Sequence, residues 1–71
     1  METMQQVEPL SLLAWYRHPG WARRRARRNV DRRRTPAVIV THPAYGFAAV
    51  SMASWPRYES QGCAIVEEVH P

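Results

Sequence analysis

Residues 21–33 read WARRRARRNVDRR and combine a strongly basic composition with a narrow apolar seam. On a helical wheel, Ala22, Ala26 and Val30 follow one another at intervals of four residues and fall on one line. Of the eight arginines between residues 23 and 34, seven spread over the rest of the wheel and one, Arg33, falls at the end of the seam. The pattern predicts an amphipathic helix that buries its small residues and turns its arginines outward.

The charge of the whole chain is concentrated around this helix. The 71 residues include ten arginines and no lysine, nine of the arginines lie between residues 17 and 34, and the formal net charge is +4. A guanidinium group stays charged and its planar fork of donors matches the oxygens of phosphate and carboxylate groups. A GC-rich genome would also favour arginine over lysine, but codon usage does not explain the clustering. The distribution therefore predicts a basic face directed at an anionic partner.

The flanking sequence indicates an α+β fold. A first helix is expected over residues 9–16, ended by the pair His18-Pro19, because a residue before proline avoids the helical region. Strands are expected over residues 37–41, 47–54 and 63–69, with a turn at 42–46 and a loop over 55–62. The predicted architecture is two N-terminal helices packed on a three-stranded antiparallel β-meander, in the order α-α-β-β-β. Residues 1–7 are expected to form a flexible N-terminal tail, and residues 8–71 a single small domain.

The first strand raises the question of what covers the second face of the sheet. Val38, Ile39 and Val40 are apolar on both sides of the strand, as in a strand that is buried on both faces. Two short helices cover only one face. The other face either forms a homodimer or meets a partner protein, or the N-terminal segment wraps around to cover it. The sequence leaves both alternatives open.

The outward arginines of the helix form the candidate binding surface. A nucleic-acid surface would follow phosphates and show a strong salt dependence, whereas a protein-docking surface would meet an acidic patch; a solvated face without a partner is the third interpretation. Trp21 and Tyr45 are candidates for stacking on unpaired bases, although aromatic residues of small domains more often form the core. The seven candidate arginines are Arg23, Arg24, Arg25, Arg27, Arg28, Arg32 and Arg34.

The cysteine and histidine content argues against a metal site. Cys63 is the single cysteine, which excludes an internal disulfide and fits a reducing compartment such as the cytoplasm. His18, His42 and His70 each precede a proline and lack the spacing of metal ligands. We therefore predict no metal and no cofactor.

Catalysis and membrane insertion also lack support in the sequence. A ribonuclease-like group assembled from His42, Tyr45, Arg57 and His70 would depend on residue type alone, and so short a chain offers little pocket, so we predict that the protein is not an enzyme. No segment approaches the ~18 apolar residues that a membrane span needs.

The predicted function is a small non-enzymatic binding protein whose arginine-rich helix engages the phosphate backbone of RNA or DNA. RNA fits better than DNA, because nothing in the sequence supplies a two-helix unit for reading DNA. The alternative is an inhibitor or adaptor, of the kind that phages and mobile elements encode, that docks on an acidic surface of a host protein or nucleoprotein complex. Either function is compatible with a homodimer through the second sheet face.

Overall fold

A computed structural model of the chain describes residues 10–71, which contain two helices and three strands. The predicted flexible tail, residues 1–7, lies outside the described residues. The elements are, in chain order, a 3-10 turn (Leu10–Leu12), helix α1 (Pro19–Arg33), strands β1 (Ala37–His42) and β2 (Gly46–Ser51), a second 3-10 turn (Met52–Ser54), helix α2 (Trp55–Glu59) and strand β3 (Ala64–Val69).

Helix α1 confirms the helix predicted over residues 21–33. It begins with Pro19 in its first turn, where the missing N–H costs nothing and the fixed φ suits a helix. Ala22, Ala26 and Val30 are fully buried, so the predicted seam is the face that packs against the sheet. The helix ends at Arg33, and Arg34 takes a left-handed conformation (φ 61°) in which its N–H donates to the Val30 carbonyl at 2.7 Å.

The three strands form one antiparallel sheet in the order β2-β1-β3. The α+β class and the three-stranded antiparallel sheet are therefore confirmed, but the predicted meander is wrong, because β3 pairs with β1 and not with β2. The central place goes to β1, whose Val38, Ile39 and Val40 need cover on both faces. A tight turn joins β1 to β2, whereas residues 52–63 form a long connection that carries the chain to the other side of β1.

The predicted first helix is also wrong, since α1 is the single long helix that precedes the strands. After the 3-10 turn the chain is mostly irregular, and Tyr16 bridges to Phe47 of β2 through two backbone hydrogen bonds of 2.7 and 2.8 Å. This path lets Leu13 and Trp15 pack on one face of the sheet while Tyr16 packs on the other. A helix would present one apolar stripe to one face of the sheet, so it could not pack against both faces.

The connection between β2 and β3 contains the second helix. Strand β2 ends at Ser51 and not at residue 54, because the Ser51 hydroxyl accepts a hydrogen bond from the Ser54 N–H at 3.2 Å and starts the 3-10 turn. Residues 55–62, predicted as a loop, contain α2. Its Tyr58 is buried against the sheet face opposite α1.

Each face of the sheet has its own buried cluster. Under α1, the three seam residues pack with Ala37, Ile39, Val69 and their neighbours. On the opposite face, Val38 and Val40 are fully buried beneath Leu10, Tyr58, Cys63 and other side chains of the flanking segments. The chain itself therefore covers Val38 and Val40 on the second face, and both the N-terminal segment and the connection between β2 and β3 contribute to this cover. The homodimer predicted through that face is not needed to bury the central strand and stays a prediction; Ile65 of β3, which pairs with Val40, is 41% exposed.

Candidate nucleic-acid interface

The outward side of α1 is a continuous basic surface. Between residues 23 and 34 the only apolar residues are Ala26 and Val30, and both are buried. All seven predicted arginines are exposed, so burial of the seam sorts the basic side chains to one side. We call this set the arginine face: Arg23, Arg24, Arg25, Arg27, Arg28, Arg32 and Arg34.

The part of the arginine face next to β3 is engaged within the chain. Arg23 Nε donates to Glu67 Oε1 at 2.8 Å, and Arg27 Nη2 donates to the His70 carbonyl at 2.9 Å. Arg27 also pairs with Asp31 one turn along the helix, at 3.1 Å. Exposed ion pairs of this kind contribute only about 0–1 kcal/mol each. Their main effect is to hold two guanidinium groups at the edge of the sheet.

The remaining part of the arginine face is open. The side chains of Arg25, Arg28, Arg32 and Arg34 make no ion pair or hydrogen bond with any side chain or carbonyl of residues 10–71. Like charges three or four residues apart on a helix repel one another, and the docked seam holds these arginines in place against that repulsion. An anion placed between them would lower the electrostatic energy of the helix.

Two aromatic side chains flank the N-terminal end of the arginine face. Trp21, in the first turns of α1, is 54% exposed, and the guanidinium carbon of Arg24 lies 5.3 Å from the centroid of its ring. This is the geometry of a cation–π contact. Tyr16, which is partly buried against the cluster under α1, lines a half-open cleft of about 160 Å³ together with Trp21 and three arginines; the arginines are Arg24, Arg25 and Arg28.

Tyr16 is the residue of this cleft that sequence reasoning missed. The prediction placed it in a helix, whereas its pairing with Phe47 sets it at the edge of β2. The pairing depends on Gly46, whose φ is +109° and whose hydrogen faces the Tyr16 carbonyl oxygen; a Cβ at this position would lie 2.5 Å from that oxygen. A glycine before an aromatic strand residue was the one signal in the sequence that pointed to a close backbone approach.

The second predicted stacking residue, Tyr45, lies in a different aromatic group. Its ring stacks on Trp15 at a centroid distance of 5.1 Å and lies 5.2 Å from the His42 ring. Trp15 packs on the sheet face opposite α1. The structure therefore brings Trp21 to the arginine face and leaves Tyr45 with a partner of its own at the β1–β2 turn.

Of the groups considered for catalysis, His42 and Tyr45 lie together, but the two histidines lie apart. His42 ends β1, whereas His70 follows Val69, which pairs with Ala37 at the other end of β1. The thiol of Cys63 is buried, and burial raises its pKa because the thiolate is desolvated. Within residues 10–71, no three histidine, cysteine, aspartate or glutamate side chains lie close enough together to hold a metal ion.

No protein-family model matches the chain, and comparisons with curated proteins and with solved structures find no match. In the part of the chain that the structure describes, neither helix is long and apolar enough to cross a bilayer. The functional conclusion therefore depends on the arginine face and on the cleft beside it.

Proposed function

We propose that the protein is a small non-enzymatic binding protein that engages nucleic acid, RNA in preference to DNA, through the arginine face. The observation that carries the proposal is the set of arginines on an ordered helix that have no partner among the described residues. From Arg25 to Arg32 the helix rises about 10 Å, and a nucleic-acid strand places roughly one phosphate per 3.4 Å of duplex axis. The open arginines therefore have the reach to contact more than one phosphate of a strand.

The composition of the outward surface favours a nucleic acid over an acidic protein. The centre of a protein–protein interface is largely apolar, and arginine is the charged residue that is enriched there beside aromatic residues. The arginine face lacks such an apolar centre, because no apolar side chain is exposed between residues 23 and 34 and the exposed ring of Trp21 lies at its N-terminal end. Such a surface suits a partner that offers regularly spaced phosphates.

The conformation of Arg34 also supports a role for charge at this surface. Arg34 has a positive φ of 61°, a conformation that costs a residue with a Cβ roughly 1–2 kcal/mol and that glycine adopts freely. A helix end of this kind is therefore the usual place for glycine. An arginine here extends the basic surface beyond the last turn at the expense of stability, which is expected where its charge serves binding.

The salt dependence of binding tests the proposal. Single-stranded RNA should bind with an affinity that falls steeply with salt, and Arg28→Ala should lower the slope of log K against log salt by about 0.7, the value for one phosphate contact on a single strand. Arg57→Ala is the matched control: it removes the same charge from α2, on the opposite face of the sheet. We expect that variant to leave the slope unchanged.

Three results would contradict the proposal. Absent binding, or binding that is insensitive to salt, would show that the protein does not contact phosphates. Equal effects of Arg28→Ala and Arg57→Ala on the salt slope would show that binding depends on net charge and not on the arginine face. A single stoichiometric protein partner that stays bound after nuclease treatment would favour the inhibitor or adaptor. We also propose that the protein is located in the cytoplasm, as inferred from its single cysteine. The redox state of Cys63 in cells tests this location.

A further inference from the structure

We infer that the cleft between Tyr16 and Trp21 binds one unpaired nucleobase, so that the protein prefers single-stranded over double-stranded nucleic acid. The inference rests on the proposed function and names the form of nucleic acid that the arginine face receives. It depends on three features of the cleft: its rigidity, its size and the exposure of Trp21.

The backbones that carry the two rings are held in place before any ligand arrives. Tyr16 is fixed by its two backbone hydrogen bonds to Phe47 and by the close approach of Gly46 to its carbonyl oxygen. Trp21 belongs to α1, whose seam is fully buried on the sheet. A cleft between two anchored backbones loses little conformational entropy when a ring enters it.

The size of the cleft limits what it can hold. At about 160 Å³, it is smaller than the roughly 300–1,000 Å³ of pockets that enclose a drug-sized ligand. A single ring system therefore fits, while the attached sugar and phosphates remain outside. Arg25 and Arg28 line the same cleft, so they are placed to contact the phosphates on either side of the inserted base.

Trp21 is exposed in a way that the fold does not require. Trp15 and Trp55 pack against the buried cluster on the sheet face opposite α1, but Trp21 belongs to neither of the two clusters formed by residues 10–71. Its ring contacts the Arg24 guanidinium instead. The Arg24 guanidinium lies over the Trp21 ring, and indole and guanidinium groups are those on which unpaired bases stack, whatever their sequence.

A duplex does not present an unpaired base to this cleft. Paired bases are stacked on one another, and a duplex must unstack and unpair a base before the base can enter a pocket. A single strand already has exposed base faces. The arginines can therefore bind the phosphates of either ligand, but only a single strand can also place a base between Tyr16 and Trp21.

Binding of three ligands with matched phosphate number tests the inference: a short oligouridylate, a base-free oligomer of the same backbone and a blunt duplex. Wild type should bind the oligouridylate most tightly. Trp21→Ala should weaken that binding by about fivefold or more, leave binding of the base-free oligomer unchanged and leave the salt slope unchanged. Trp21→Phe should restore most of the loss, and Leu12→Ala, which truncates a side chain that is 68% exposed, should have no effect.

Fluorescence gives an independent readout. Oligouridylate should quench part of the tryptophan emission of wild type, and this part should be missing in Trp21→Phe, whereas the base-free oligomer should quench neither protein. Salt-dependent binding with equal affinities for base-bearing and base-free ligands, or equal losses for both in Trp21→Ala, would overturn the inference and leave the proposed function standing. Failure of wild type to bind any of the three ligands would overturn both.

Discussion

The two faces of the sheet are covered in different ways. Under α1 the cover consists of small side chains, since Ala22, Ala26 and Val30 are the buried residues of that helix. On the opposite face the cover consists of large side chains from irregular segments and a short helix, among them Leu10 and Tyr58. Small residues bring the α1 backbone close to the sheet and occupy only a thin stripe of the helix. The rest of its surface is left for arginine.

This difference makes α1 the weaker of the two covers. Burial contributes about 25 cal/mol for each Å² of apolar surface, and alanine offers little such surface. Repulsion among the outward arginines opposes docking further, because exposed like charges on neighbouring turns destabilise a helix. We therefore expect α1 to separate from the sheet more easily than the opposite cover, and anions that bind the arginine face to hold it in place.

The largest expected effect comes from Ile39→Ala, which removes the main side chain beneath α1. Ile39 is fully buried in the cluster that receives the seam, and truncation of such a residue costs about 2–5 kcal/mol of unfolding free energy. Chemical denaturation measures the loss, and amide exchange should show α1 opening first. In Val38→Ala, which changes the other face of the same strand, the amides of α1 should exchange more slowly than in Ile39→Ala. Equal exchange rates of α1 in the two variants would mean that the two covers do not differ in stability.

The next largest effect is expected from Gly46→Ala, which should disrupt the backbone hydrogen bonds between Tyr16 and β2. The new Cβ would lie 2.5 Å from the Tyr16 carbonyl oxygen at a φ of +109°, and strain of this kind costs roughly 1–3 kcal/mol. Stability should fall by that amount and the base-dependent part of RNA binding should be lost. Gly20→Ala is the matched control, because nothing lies within 4 Å of a Cβ there. Unchanged stability in Gly46→Ala would show that the Tyr16 bridge is dispensable.

The smallest expected effect has the opposite sign. Arg34→Gly should raise the unfolding free energy by about 1 kcal/mol, because glycine adopts the left-handed conformation without strain, and it should weaken RNA binding through the loss of one charge. Arg33→Gly loses the same charge but places glycine in the last turn of the helix, at a residue without the left-handed conformation, so it should not raise stability. Thermal unfolding compares the two. A loss of stability in Arg34→Gly would show that the arginine there stabilises the fold.

Much of the fold follows from local sequence patterns. The period of Ala22, Ala26 and Val30 predicted α1 and its buried side, and the β-branched run predicted β1, because both patterns reflect neighbours within a few residues. The errors concern segments whose structure depends on distant partners. Residues 10–16 have helical propensity, yet they follow the sheet because their apolar side chains are needed on both of its faces. The place of β3 was also mispredicted: the apolar run of β1 indicated a strand buried on both faces, but the predicted meander paired each strand with its neighbour in the chain.

The candidate site also combines features that follow from local sequence with features that depend on distant contacts. The sequence by itself determined that one helix would carry arginines on one side and small residues on the other, since helical periodicity is a local property. Only the tertiary structure decided which arginines are open: Arg23 pairs with Glu67, 44 residues away, because β3 lies beside β1. It also decided that Tyr16 lines the same cleft as Trp21, because a backbone bridge to β2 places it there. Long-range pairings of this kind are set by burial and by backbone hydrogen bonding, which no short stretch of sequence encodes.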